Sequence, residues 1–211
     1  MFTIFRLHAK PQWPNAHIPK LRDHVESLSL GPRIRQAVRL LLIATVFGHL
    51  SALAGGSSAA PALEVENDQG EITNFLRLYK ESNYVVVYFF ATATCIDLCV
   101  RQSFSFSVNE AALKEYGAVI VGVSVDAADT QREFRKRSDL KFTLIPDLNQ
   151  DVCNAFGVRR SPFSGKASRQ AFVIQQGKIV AHLEGIPVDS YGDAVLQEIQ
   201  KLSTETFSKK T

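Results

Sequence analysis

The stretch Tyr84-Val-Val-Val-Tyr-Phe-Phe-Ala-Thr-Ala-Thr-Cys95-Ile-Asp-Leu-Cys99 constrains the fold of this chain more than any other. Val85 to Phe90 is uncharged and built from β-branched and aromatic residues. Such a run predicts a strand covered on both faces, because a strand with one wet face alternates polar and apolar residues. A short loop and then a helix follow. A thiol at a strand-to-helix junction sits close to the positive end of the helix dipole and to unpaired backbone N–H groups. Both favour thiolate, the reactive form, over thiol.

The remaining elements fit around that strand. Leu63–Glu66 and Asn67–Gly70 predict a strand and a turn, and Ile72–Tyr79 a short helix or connecting turn. Val100–Tyr116 predicts a helix ending at Gly117, and Val119–Val125 a second buried strand. Asp129–Ser138 is a charge-rich helix whose Arg132, Arg135, Lys136 and Arg137 are expected on a solvated face. Phe142–Asp147 predicts a short strand, and Asn149–Phe156 a helix stopped by Gly157. Ala171–Ile174 and Ile179–Leu183 predict a hairpin, and Ser190–Ser203 a final amphipathic helix. Strands alternating with helices imply a mixed sheet covered on both faces, with antiparallel edges from the late hairpin.

The 211 residues suit one domain plus extras. Residues 1–60 are expected to be a targeting leader, 61–205 the domain, and 206–211 a polar tail. Arg33, Arg35 and Arg39 precede the apolar run 40–54, and small residues follow it, as in a signal peptide. That layout predicts export to the periplasm or outside, or plastid-like organelle import, followed by leader removal. The run is short for a span of about 20 residues, so membrane attachment is expected only if segment 40–54 is retained. The net charge of +3 is small, and no basic stripe is interleaved with aromatics, which argues against nucleic-acid binding. The three cysteines, Cys95, Cys99 and Cys153, are too few for a disulfide scaffold. Cys153, beside Val152 and Phe156, is expected to be a small buried hydrophobe. His182 is expected to be an ordinary strand residue.

Several stretches resemble known proteins. Tyr88-Phe-Phe90, Cys99-Val-Arg-Gln102 with Phe106, Val121-Gly-Val-Ser-Val-Asp126, Leu144-Ile-Pro-Asp147 with Phe156-Gly-Val158, and Ser168-Arg169-Gln-Ala-Phe172-Val-Ile174 stand in one order. Together they resemble the peroxiredoxins of the alkyl hydroperoxide reductase/thiol-specific antioxidant type, particularly the Q or bacterioferritin-comigratory branch. The resemblance spans residues 61–203 and implies a thioredoxin-like three-layer α/β/α sandwich. It makes Cys99 the peroxidatic cysteine and Arg169 the arginine that orients the peroxide. Thr92-Ala-Thr-Cys95 also satisfies the family's Thr-x-x-Cys pattern, so the choice between Cys95 and Cys99 stays open. A second likeness, through Cys95-Ile-Asp-Leu-Cys99 and Val123-Ser-Val-Asp126, is to the Sco group of thioredoxin-like copper proteins. That group needs a histidine before the later hairpin strand, where this chain reads Gly165-Lys-Ala-Ser-Arg169.

The implied chemistry is thiol-dependent reduction of hydrogen peroxide or alkyl hydroperoxides through a cysteine sulfenic acid. Thr92 or Thr94 is expected to offer a hydroxyl to the peroxide, and Arg169 a planar donor fork. Cys95 and Cys99 are spaced to share one helix face, and a disulfide closes there once the Cα atoms approach to about 5.5–6 Å. Thioredoxin or a similar thiol reductant would reopen it by exchange. No metal or other cofactor is expected. The alternatives are a thiol-disulfide oxidoreductase using the same pair, or a Sco-like Cu(I) chaperone.

Overall fold

The structure, a computed structural model, describes residues 58–208. The greater part of the leader, including the apolar run 40–54, and residues 209–211 lie outside the described residues. Strands are β1 (Glu64–Glu66), β2 (Ile72–Asn74), β3 (Tyr84–Phe89), β4 (Ala118–Ser124), β5 (Thr143–Pro146), β6 (Gln170–Gln175) and β7 (Lys178–Glu184). Helices are α1 (Phe75–Glu81), α2 (Leu98–Glu115), α3 (Ala128–Arg137), α4 (Asp151–Ala155) and α5 (Tyr191–Ser208), with a 3-10 turn at Val188–Ser190.

Five strands form one sheet in the order β5-β4-β3-β6-β7. β3, β4 and β5 run parallel, while β6 is antiparallel to β3 and β7 to β6. The central strand β3 is buried at all six positions, as its uncharged sequence requires. Val86, Tyr88 and Phe90 face a core shared with Phe106 and Leu113 of α2, Phe134 of α3, and Tyr191, Val195 and Ile199 of α5. Val85, Val87 and Phe89 face a second core with Phe75 and Tyr79 of α1 and Val152 and Cys153 of α4. The result is three layers, helix on sheet on helix. Each fully buried Val or Phe contributes about 1.5–3 kcal/mol, so β3 and its facing helices dominate the apolar burial.

Two contacts fix α2, the helix that begins at the paired cysteines. Tyr88 stacks on Phe106 with ring centroids 4.4 Å apart, and its hydroxyl is 3.0 Å from Ser103 Oγ. Gln102 Nε2 donates to Phe89 O at 3.2 Å, tying the first turns of α2 to the end of β3. On the other side Gly192 lets α5 approach: a Cβ there would lie 1.9 Å from Ser105 O.

Several boundaries differ from expectation. Residues 72–74 form a strand rather than the start of a helix, because they pair with β1 and Asn74 then caps α1 by accepting the Arg77 N–H at 2.9 Å. Ser58–Ala60 also pair along β7, with Ile179 N–H donating to Ser58 O at 2.9 Å. The charged helix α3 is not a purely solvated face. Arg135 Nε and Nη2 each lie 2.6 Å from a carboxylate oxygen of Asp68, which is wholly buried. Among the described residues no helix is long and apolar enough to cross a membrane.

The Arg135–Asp68 pair makes a sharp prediction. Arg135→Ala strands a buried carboxylate and should lower unfolding stability by about 3–5 kcal/mol. Arg77→Ala, which removes only the exposed pair with Glu81, should change it by less than about 0.5 kcal/mol. Urea titration checks both, with the midpoint moving at constant slope.

Candidate active site

The segment from Phe90 to Asp97 carries the chain from β3 to α2, and two side chains from other elements hold it. Asp126, just past β4, accepts Thr92 Oγ1–H at 2.7 Å on one oxygen, and Ala93 N–H at 2.6 Å and Ser124 Oγ–H at 2.7 Å on the other. Arg137, at the end of α3, donates through Nη2 to the carbonyls of Ala93 and Cys95, the latter at 3.3 Å. Its guanidinium lies 5.1 Å from the Phe134 ring centroid.

Helix α2 starts at Leu98, two residues before the expected Val100, so Cys99 lies inside its first turn. Asp97 occupies the cap position yet its side chain makes no capping bond. The sulfur of Cys95 takes over instead, accepting the Cys99 backbone N–H at 3.4 Å. That N–H is one of the donors every helix start leaves unpaired. Asp97, which would oppose a thiolate, lies 3.7 Å from Arg101. Arg101 also donates to Asp189 Oδ1 at 2.7 Å, joining the first turn of α2 to the 3-10 turn.

The two sulfurs are unequal. Cys99 is fully buried and Cys95 partly exposed. Burial pushes the Cys99 thiol up, against the opposing pull of the Thr92 backbone N–H and Arg169, and the neighbouring Cys95 sulfur adds to the rise. Partial burial acts the same way on Cys95. There it is outweighed by hydrogen bonds from the Cys99 and Asp97 backbone and the Cys99 thiol, and by the Arg169 charge, so Cys95 falls below the ordinary thiol value.

Arg169 stands immediately before β6. Because β6 pairs antiparallel with β3 in the register Phe89↔Gln170, it emerges beside the end of β3. Its Nη2 donates to Cys99 Sγ at 3.5 Å, its carbonyl accepts the Tyr191 hydroxyl at 2.7 Å, and its Nε is buried with no hydrogen-bond partner among the described residues.

All five residues singled out from sequence thus gather around one loop: Cys95, Cys99, Thr92 and Thr94 on it, Arg169 across from it. Their contributions differ from expectation in one respect. The Thr92 hydroxyl is committed to Asp126, and it is the Thr92 backbone that opposes the rise of the Cys99 thiol. The exposed Thr94 hydroxyl lies 2.9 Å from that of Thr92. Sequence reasoning missed Asp126 and Arg137, and its one signal for either was Asp126 at the end of the motif Val-Ser-Val-Asp. Cys153 is buried in the second core, and its N–H donates to Asp147 Oδ2 at 2.8 Å, away from the pair. His182 lies in β7, stacked on Phe172 with ring centroids 4.3 Å apart.

A three-layer thioredoxin-like sandwich with a cysteine in the first turn of the helix after its central strand defines a class of thiol proteins. The chain belongs to the AhpC/TSA family, whose model matches residues 57–183. It is 29% identical over 126 residues to the chloroplastic peroxiredoxin Q of rice (Oryza sativa subsp. japonica), covering 60% of this chain and 57% of that one. It is 28% identical over 150 residues to peroxiredoxin Bcp of Bacillus subtilis, covering 68% and 94%. Among solved structures, peroxidoxin BcpB of Mycobacterium tuberculosis superposes with a TM-score of 0.64 at 21% identity, covering 69% and 96% of the two chains. A cysteine-to-serine mutant of Xanthomonas campestris peroxiredoxin Q gives 0.62 at 20% identity, covering 69% and 99%.

Cys153 offers a stability test. Burial, reinforced by Asp147, pushes its thiol up to about 12. The unfolded chain loses that proton near the ordinary thiol value while the folded chain keeps it, so stability is complete below about pH 8.5 and falls as pH rises toward 12. The share of the slope due to this thiol is about 1.4 kcal/mol per pH unit. Denaturant unfolding of wild type and Cys153→Ala between those limits should show the variant's slope smaller by that amount, the other buried thiol and tyrosines keeping their own shares.

Proposed function

We propose that the protein is a thiol-dependent peroxidase that reduces hydrogen peroxide or alkyl hydroperoxides, with Cys99 as the attacking sulfur and Cys95 as the resolving one. The observation that carries this is the guanidinium of Arg169, whose Nη2 lies 3.5 Å from Cys99 Sγ and whose Nε is buried and unpaired among the described residues. A partly buried, fixed cation polarises a peroxide oxygen more strongly than one in water. Relatives named peroxiredoxin, from rice and Bacillus subtilis, support the reaction class.

In this reading the Cys99 thiolate attacks the terminal oxygen of the peroxide. Arg169, the Thr92 N–H and the Thr94 hydroxyl stabilise the charge that develops on the oxygen pair. The product is a Cys99 sulfenic acid and an alcohol or water. The Cys95 thiolate then attacks the Cys99 sulfur and closes the disulfide as the first turn of α2 loosens. A thioredoxin-type dithiol protein reopens it by attacking Cys95, the sulfur that reaches the surface. Entry of peroxide also runs past Cys95, because Cys99 is sealed while the adjoining Ile96 is 88% exposed. Organelle import of the plastid type fits both the basic leader and the chloroplastic relative.

Mass spectrometry with sulfenic-acid trapping after one equivalent of peroxide tests the assignment. Wild type should end as the 95–99 disulfide, and Cys99→Ser should consume no peroxide. Cys95→Ser should stop at a sulfenic acid on Cys99. Arg169→Met should slow consumption about 100-fold, the usual effect of losing one charge-stabilising donor. Undiminished turnover in Cys99→Ser, with the oxidised sulfur at position 95, would reverse the two roles.

A further inference from the structure

The guanidinium of Arg169 has little of its own to hold it. Among the described residues its side chain makes one hydrogen bond, to Cys99 Sγ at 3.5 Å, and its Nε makes none. Its aim is therefore set by where its backbone stands. That backbone lies one residue before the ladder with β3, which begins at Phe89↔Gln170. The Tyr191 hydroxyl fixes it from outside the sheet, donating to Arg169 O at 2.7 Å. Tyr191 is the first residue of α5 and is buried, its ring 6.5 Å from that of Phe106 on α2. Burial pushes its phenol up to about 12, so it stays a donor through the neutral range.

The residues around Tyr191 are fastened to α2, the helix that carries Cys99. Asp189 Oδ1 accepts from Arg101 Nε at 2.7 Å, Gly192 N–H donates to Ser105 Oγ at 3.1 Å, and Asp193 Oδ1 accepts from Asn109 Nδ2 at 2.9 Å. Segment 189–193 thus keeps a fixed place relative to the helix of the attacking sulfur, and the Tyr191 hydroxyl carries that place across to the arginine. We infer that Tyr191 is a positioning residue for peroxide reduction: it holds the Arg169 backbone so that the guanidinium meets both Cys99 and the oxygen pair of the peroxide. The inference rests on the peroxidase reading. The hydroxyl bonds the main chain of the arginine, so its effect on the reaction passes through Arg169. A catalytic group displaced by about 1 Å can cost about 100-fold in rate, which makes so remote a hydrogen bond matter.

The test is a double-mutant cycle on the full chain, read as the rate of the first turnover of hydrogen peroxide after rapid mixing. Tyr191→Phe keeps the ring and removes only the hydroxyl. It should slow that turnover about 10-fold, part of the about 100-fold expected for Arg169→Met, because a misaimed guanidinium still supplies some charge. In the Arg169→Met background the same change should alter the rate by less than about 2-fold, since no guanidinium is left to aim. Val195→Ala loosens the packing of α5 but spares the hydroxyl. It should lower the urea midpoint and leave the first-turnover rate at the wild-type value. A wild-type rate in Tyr191→Phe would overturn the inference. So would an equal loss in both backgrounds, or an equal loss in Val195→Ala, each the mark of α5 packing rather than of aim. Wild-type peroxide consumption in both Cys99→Ser and Arg169→Met would instead remove the peroxidase reading, and the inference with it.

Discussion

The meeting of Arg169 with Cys99 depends on how β6 lies against β3. The two residues are 70 positions apart in the chain, and nothing local draws them together. Antiparallel pairing in the register Phe89↔Gln170 brings the residue before β6 to the end of β3, where the loop to α2 begins. A slip of one residue would turn every β6 side chain to the other face of the sheet. That slip is resisted because Ala171 and Val173 fill one core while Phe172 and Ile174 fill the other. The packing that stabilises the sheet therefore also positions the cation.

Electrostatics at the site follow from that packing. Enclosing Cys99 opposes its ionisation, while Arg169 and two helix-start N–H groups favour negative charge on the sulfur pair. The balance differs at the two sulfurs because their burial differs. Cys95 sits on a loop clamped by Asp126 from β4 and by Arg137 from α3, and these residues hold backbone groups, so the loop geometry does not depend on its exposed side chains. Arg101, bound to Asp189, secures the outer side of the same turn. Disulfide closure loosens the first turn of α2, and the surface ion pair there is a weaker restraint than the buried contacts behind it.

Much of this arrangement is legible in the sequence. The uncharged run Val85–Phe90 marks the doubly covered central strand, and Cys-x-x-x-Cys after it marks the site. The offsets from Cys99 to Gln102 and Phe106 correspond to the two side chains that bind α2 to β3. Other features are hidden for physical reasons. The start of α2 falls earlier than the sequence suggests because its cap is a sulfur four residues before the donor, not the aspartate at the cap position. The arginines of α3 look solvated because helix periodicity cannot reveal that Asp68, 67 positions away, is buried beneath Arg135. Strand β2 reads as part of a helix because three residues carry too little periodicity to distinguish the two.

Residue order alone determined which elements form and which sulfur pair stands at the mouth of the sheet, because periodicity, charge and spacing act over short stretches of chain. It favoured Cys99 by resemblance but left the choice between the two cysteines open. The tertiary structure sets them apart by enclosing one, leaving the other partly exposed, and bringing a guanidinium from just before a distant strand to the enclosed one. Ionisation is decided by solvation and by charges within a few ångströms, and those are set by neighbours in space rather than along the chain.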